Sequence, residues 1–153
     1  MSSGIEIDLG GVPDRLNDVS DGVRDLSPLM SDFEDILLSG VEEAFRLEEG
    51  PDGPWARLAE STIEDRKREN KWPGDILQRS AGGLAASVQG ESDATSASVF
   101  TNKRYGPIHQ FGGTSDMPPG PANVPARPFL SISDATQREL DDATDDYLDG
   151  LLD

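Results

Sequence analysis

The 153-residue chain contains no cysteine. That excludes a disulfide scaffold, a cysteine-based zinc site and thiol catalysis. There is one histidine, His109, so a multi-histidine metal site within one chain is excluded too. Apolar residues make up only 35% of the chain, against 16 glycines and 11 prolines, which implies a modest core with long irregular segments or extended arms. No apolar run approaches the roughly 18 residues of a membrane span. The start, "MSSGIEIDLGG", has neither the basic nor the apolar region of a secretory signal. The expectation is a soluble single domain, 1–153, with no membrane partner.

Positive charge is the other scarcity. The formal net charge is −17, from 30 acidic residues, most of them aspartate, and 13 basic ones. Only Lys67, Lys71 and Lys103 are lysines. A general basic surface for nucleic acid is excluded, because phosphate contacts need Lys and Arg. Short, strongly hydrated carboxylates with few lysines suggest a protein built for molar salt, where the Debye length falls to about 3 Å and self-repulsion is screened. The alternative is an acidic protein of ordinary salt with an acidic tail. The spread of acids along the whole chain favours salt adaptation.

What is present divides into segments. Residues 4–9, "GIEIDL", alternate as a short strand does. Val12, Leu16, Val19, Val23 and Leu26 then recur at helical spacing, with Asp14, Asp18, Asp21 and Asp25 opposite. Ser27-Pro28 interrupts this helix and predicts a second one, with Ser27 as N-cap and Pro28 at its first position. Met30, Phe33, Leu37, Val41 and Ala44/Phe45 carry its stripe until "EEGPDGP" (48–54) stops it, which makes 1–50 an N-terminal helical region. A sheet core is expected over 55–132. It comprises an anchoring Trp55, a short charged helix at roughly 59–69, a helix break at Gly82-Gly83, and strands at 84–89 and 96–101 around the polar turn "GESDAT". A Pro/Gly-rich loop spans 112–124. The final segment, 133–153, reads as an acidic helix with Leu140, Thr144, Tyr147, Leu148 and Leu151 on one face. The fold class is α+β: a small, mainly antiparallel sheet flanked by helices, with extended Pro/Gly-rich arms.

Candidate chemistry is thin. No G-x-S-x-G elbow accompanies His109, no G-K-[ST] phosphate loop occurs, and carboxylates are too numerous to single out a pair. The acid run of the last helix lacks the spacing of an EF-hand loop and reads as a solvated face. No catalytic residue, metal or cofactor is implied. Two constrained runs stand out instead. In "YGPIHQFGG" (105–113), Tyr105, Ile108 and Phe111 are apolar anchors around a bend, and His109 and Gln110 are hydrogen-bonders at its corner. A buried imidazole donating one bond and accepting another would lock that bend. In "VPARPFLSIS" (124–133), Pro125 and Pro128 hold the chain extended. They fix Arg127 between them as a fork suited to a two-pronged carboxylate contact, and Phe129 follows as an anchor. Two rigid corners flanking a loop suit a protein that docks onto copies of itself.

These two runs, in this order, closely resemble the signature of the Mu-type phage virion morphogenesis family, the tail completion proteins of tailed viruses. "WARLAESTI" (55–63) and "DILQRSAGGLAASV" (75–88) are similar to that family's upstream segments, so the resemblance covers about 55–140. Gly106 stands where the family often has Ala, an extra Gly is inserted at 82–83, and Ser131 replaces a frequent Gly. The resemblance implies a structural virion protein of the head–tail joint, assembled in the host cytoplasm and resident in the neck or tail. It implies a homo-oligomeric ring that links the tail tube to the head connector. The implied partners are portal or connector proteins and tail-tube or tail terminator proteins, with viral DNA passing through the lumen without specific binding. Together with the charge it suggests a tailed virus of haloarchaea. The alternatives are a tail terminator or head-side connector protein, and, in another class, a soluble module that binds partners through its amphipathic N-terminal helices. A hydrolase comes third.

Overall fold

The computed structural model describes residues 12–113 and 123–153. The strand expected at 4–9 and most of the loop 112–124 lie outside those residues. Helix α1 spans Val12–Arg24 and helix α2 spans Ser27–Leu47, separated at the Ser27-Pro28 signal. Ser27 is not the cap: it is already helical, and the Asp25 carboxylate fills that role. Asp25 Oδ1 accepts from the Ser27 amide at 3.0 Å and from its hydroxyl at 2.5 Å. Along α1, Leu16 and Val23 stay exposed while Val19 and Leu26 are half-buried. The expected stripe is only partly covered, because α1 packs at the edge of the fold on one helical neighbour, the C-terminal helix.

Helix α2 is the spine. Leu29, Met30, Val41 and Phe45 are buried on it, and Phe33 and Leu37 are half-buried, as the spacing predicts. Glu48 ends it in the left-handed region, φ 54°, with its amide bonded back to Ala44 O. A minimal hairpin follows, β1 (Glu49–Gly50) with β2 (Gly53–Pro54). It returns the chain so that the Trp55 amide bonds Glu48 O at 2.7 Å and the indole turns inward. Glu48 Oε1 also accepts the Ile76 amide at 2.7 Å, tying the later segment to the end of α2.

Helix α3 spans Glu60–Arg68. Strands β3 (Val88–Ser92) and β4 (Ala97–Thr101) pair antiparallel, with Gly90 opposite Val99. The first strand begins four residues later than the pattern 84–89 suggests. Residues Ala85–Ser87 form a tight 3₁₀ turn, with the Ser87 amide and hydroxyl both bonded to Leu84 O, and Leu84 is spent in the core. Alternation holds along β4: Ala97, Val99 and Thr101 face inward, Ser98 and Phe100 outward. The connecting turn is held by the Asp93 carboxylate, which accepts the amides of Thr95 and Ser96, both at 2.8 Å.

Helix α4 spans Gly106–Phe111 and helix α5 spans Asp134–Leu152. Ser133 caps α5, accepting the Thr136 amide at 3.1 Å. The helix packs across α2, where Thr136 sits against Gly40, and then along α1, where Leu151 sits against Gly22. The Tyr147 hydroxyl donates to Gly22 O at 2.7 Å. Thr136 and Leu140 are buried and Thr144, Tyr147 and Leu151 half-buried, but Leu148 is 42% exposed. At 3.6 residues per turn Leu148 lies about 80° around the helix from Leu140, whereas the other three lie within about 40°.

The architecture is a small α+β fold of five helices and two antiparallel two-stranded sheets among the described residues. Its core is the cluster Val41, Phe45, Trp55, Leu84 and Phe129. The Phe45 ring stands edge-on to Trp55 at 5.5 Å and tilted to Phe129 at 5.6 Å, both favoured aromatic geometries. The Trp55 indole N–H donates to Pro128 O at 3.0 Å, so the one polar atom of that side chain is satisfied.

Candidate functional site: a basic cleft beside helix α4

The two constrained runs meet. The bend expected at 105–113 is the short helix α4: Pro107 fits its first turn, where the missing amide is not needed. Gly106 is buried there, and a Cβ on it would stand 2.8 Å from Thr101 Cγ2. Gly112, at φ 80°, ends the helix, and the Gly113 amide bonds Val124 O at 2.8 Å. Gln110 is the clamp. Its Oε1 accepts the amides of Phe129 (3.1 Å) and Leu130 (2.9 Å), and its Nε2 donates to Leu130 O at 2.9 Å. The Arg127 amide adds a bond to His109 O at 2.7 Å. A side-chain amide thus supplies what a paired strand would supply to a proline-interrupted run.

The other expected residues divide. Phe129 is fully buried, 0% exposed, and is a core residue. Ile108 is half-buried against Gly113. Tyr105 is exposed at the start of α4, its ring edge-on to His109 at 6.0 Å. Phe111 is 79% exposed and anchors nothing among the described residues, because α4 turns Gln110 inward and carries Phe111 to the outside. Arg127 is buried, but its fork meets no carboxylate among the described residues. Nε donates to Ala56 O at 2.8 Å and Nη2 to Arg57 O at 2.9 Å. The stretch after Trp55 passes beside it with two successive carbonyls that have to be satisfied. The bond by which His109 joins the two runs is its carbonyl's, accepted from the Arg127 amide, and its buried Nδ1 has no hydrogen-bond partner among the described residues. Burial, and then the neighbouring Arg127 charge, hold this imidazole below its usual pKa.

His109 and Arg127 face a cleft of about 740 Å³ between α3, the 77–84 segment, α4 and residues 123–127. Arg57, Arg66, Lys71 and Arg79 line it as well, with Leu58, Leu77 and Leu84 between them. No carboxylate lines it among the described residues. Arg66 is 3% exposed; its Nη1 donates to Asp75 O at 2.8 Å and its Nε has no partner among the described residues. Burial first, then Arg79, lowers the Arg66 pKa, and burial lowers that of Arg127. Outside the cleft, Glu69 holds Arg79 at 2.5 Å and Lys71 at 3.1 Å, in exposed pairs that contribute little. Among the described residues the lining is therefore basic, on a chain of net charge −17, with Glu69, Asp75 and Glu48 as counter-charges behind it.

Such a lining is suited to an anionic group. No serine or threonine hydroxyl bonds the buried Nδ1 of His109 among the described residues. The described residues contain no His/Asp/Glu cluster able to hold a metal, and no described helix is long and apolar enough to cross a membrane. Sequence reasoning missed Arg57, Arg66, Lys71 and Arg79. The available signal was local balance: residues 57–79 hold six of the 13 basic residues against five acids.

The profile of the phage virion morphogenesis family matches residues 7–149, and so includes α1 and α2, which the resemblance over 55–140 leaves out. The chain is 38% identical over 109 residues to "Putative capsid assembly protein G" of Escherichia phage Mu, covering 70% of this chain and 69% of that protein. It is 36% identical over 69 residues to the Mu-like prophage FluMu G protein 2 of Haemophilus influenzae, covering 45% and 49%. No solved structure matches. The clamped pair of runs and the match over nearly the whole chain lead to one conclusion: the chain belongs to the phage virion morphogenesis family.

Proposed function

We propose that this protein is a structural component of the head–tail joint of a tailed virus, a neck or tail-completion subunit that acts as a ring of identical copies between tail tube and head connector. The observation that carries the reading is the basic cleft. Arg57, Lys71 and Arg79 are exposed along it, where the carboxylates of a neighbouring subunit can reach them. Family membership supplies the setting, virion morphogenesis. The reading is non-catalytic. An acidic lumen would let DNA pass without trapping it, and the acidic, lysine-poor composition suits a virus of a high-salt host such as a haloarchaeon.

A second reading, action on the head side of the joint, is favoured by the name of the phage Mu relative, which speaks of capsid assembly. The test is a virus lacking this gene, examined by electron microscopy. The neck reading expects filled heads and separate tails that fail to join, rescued by adding the purified protein. The head-side reading expects defective heads. Normal joined particles without the protein would overturn both.

A further inference from the structure

The last turns of α5 carry an exposed face that matches the cleft in kind. Asp145, Leu148, Asp149 and Leu152 recur at i, i+3, i+4 and i+7, which places them within about 100° of arc. All four are exposed, Leu148 at 42% and Leu152 at 60%. The opposite side of the same turns is occupied by α1, through Tyr147 and Leu151. This face therefore alternates leucines with carboxylates, while the cleft alternates leucines with guanidinium and ammonium groups. α5 contributes no residue to the cleft of its own chain.

Resting on the assembly reading above, we infer that the Asp145–Leu148–Asp149–Leu152 face of one copy docks into the cleft of a second copy, setting its carboxylates against Arg57 and Lys71. A cleft of about 740 Å³ is too small for a whole helix but is of the size that encloses a few side chains. The leucines meet Leu58 and Leu77, and the aspartates meet Arg57 and Lys71, which are exposed at the cleft. Pairs desolvated in this way are screened by salt far less than exposed ones. Donor face and acceptor cleft lie on different elements, so the contact is head-to-tail and propagates to a ring or a filament rather than closing as a two-fold dimer. Nucleic acid is disfavoured as the occupant, because the acidic exterior repels it.

The experiment uses two full-length variants, studied at a salt concentration where the wild-type chain self-associates. One is Arg57→Glu/Lys71→Glu, the other Asp145→Arg/Asp149→Arg. Circular dichroism and urea midpoints verify folding, with Arg57→Ala/Lys71→Ala as the milder cleft variant. Sedimentation velocity should show each variant alone as a monomer, with self-association weakened at least about 100-fold. Mixed, the native face meets the native cleft and the reversed face meets the reversed cleft, so the pair should associate again into oligomers in which the two variants alternate. Wild-type-like oligomers from either folded variant would overturn the docking and leave the assembly reading standing. No recovery of association on mixing would overturn the head-to-tail geometry. Binding of inorganic phosphate or a DNA duplex that disappears in the cleft variant while self-association persists would assign the cleft to phosphate instead. A wild-type chain that stays monomeric at every salt concentration and joins no particle would remove both readings.

Discussion

Phe111 and Phe129 are the same residue type in the two clamped runs, and the fold gives them opposite work. Phe129 is 0% exposed and stands 5.6 Å from the Phe45 ring; Phe111 is 79% exposed. Phe129→Ala removes a fully buried ring from the meeting point of α2, Trp55 and Leu84. Such truncations cost roughly 3–5 kcal/mol, and loss of the ring pair accounts for about 0.5–1.5 of it. Phe111→Ala removes a ring that water already reaches and should stay within about 0.5 kcal/mol. With a urea slope of about 1.5–2 kcal/mol/M, the first change lowers the unfolding midpoint by about 1.5–3 M and the second leaves it nearly fixed. Trp55, edge-on to Phe45, reports the transition by fluorescence. Phe111→Ala should instead lower particle yield if the exposed ring meets a neighbour. Equal midpoints for the two variants would refute the burial argument and, with it, the placement of Phe129 at the centre of the core.

Three further outcomes are expected. Arg127→Lys keeps the charge but cannot span the carbonyls of Ala56 and Arg57 with one ammonium, so it should cost about 2–3 kcal/mol in chemical unfolding; a wild-type midpoint would dismiss the two-carbonyl fork. His109 has a lowered pKa when folded, so the unfolded chain takes up more protons once pH falls below about 6.5, and stability should decline from pH 7.5 to 5.5. His109→Gln should flatten that decline, whereas the carboxylates held low by hydrogen bonds, Asp25, Glu43, Glu69 and Asp93, act only at lower pH; identical slopes for the two proteins would rule the imidazole out. At net −17, the purified protein should be monomeric or expanded below about 0.1 M KCl and compact or oligomeric above about 1 M, as light scattering and circular dichroism would show, with sucrose as the non-ionic control. Equal behaviour at both ends would remove salt adaptation and leave the family membership untouched.

The sequence by itself determined the elements whose cause is local. The period of apolar residues set α2 and α5, Ser27-Pro28 set the break between the first two helices, and "EEGPDGP" set the reversal before Trp55. It also singled out the two runs around His109 and Arg127, because prolines and glycines constrain the backbone whatever surrounds them. Only the tertiary structure decided what those runs do. Six consecutive residues of "GPIHQF" are compatible with a bend or with a helix, and the choice fell to Gln110, whose amide finds the backbone of Phe129 and Leu130 some 19–20 residues away. Arg127 was legible as a fixed fork but not its target, since carbonyls left over by residues 56–57 carry no signal in sequence. Phe111 and Leu148 have the composition of core residues and the orientation of surface ones, a matter of tens of degrees around a helix. The cleft was the least legible feature, because it gathers residues from 57 to 127. Charge counted along the chain records an acidic protein, and charge gathered in space makes a basic lining, for Coulomb energy depends on distance and burial rather than on position in the sequence.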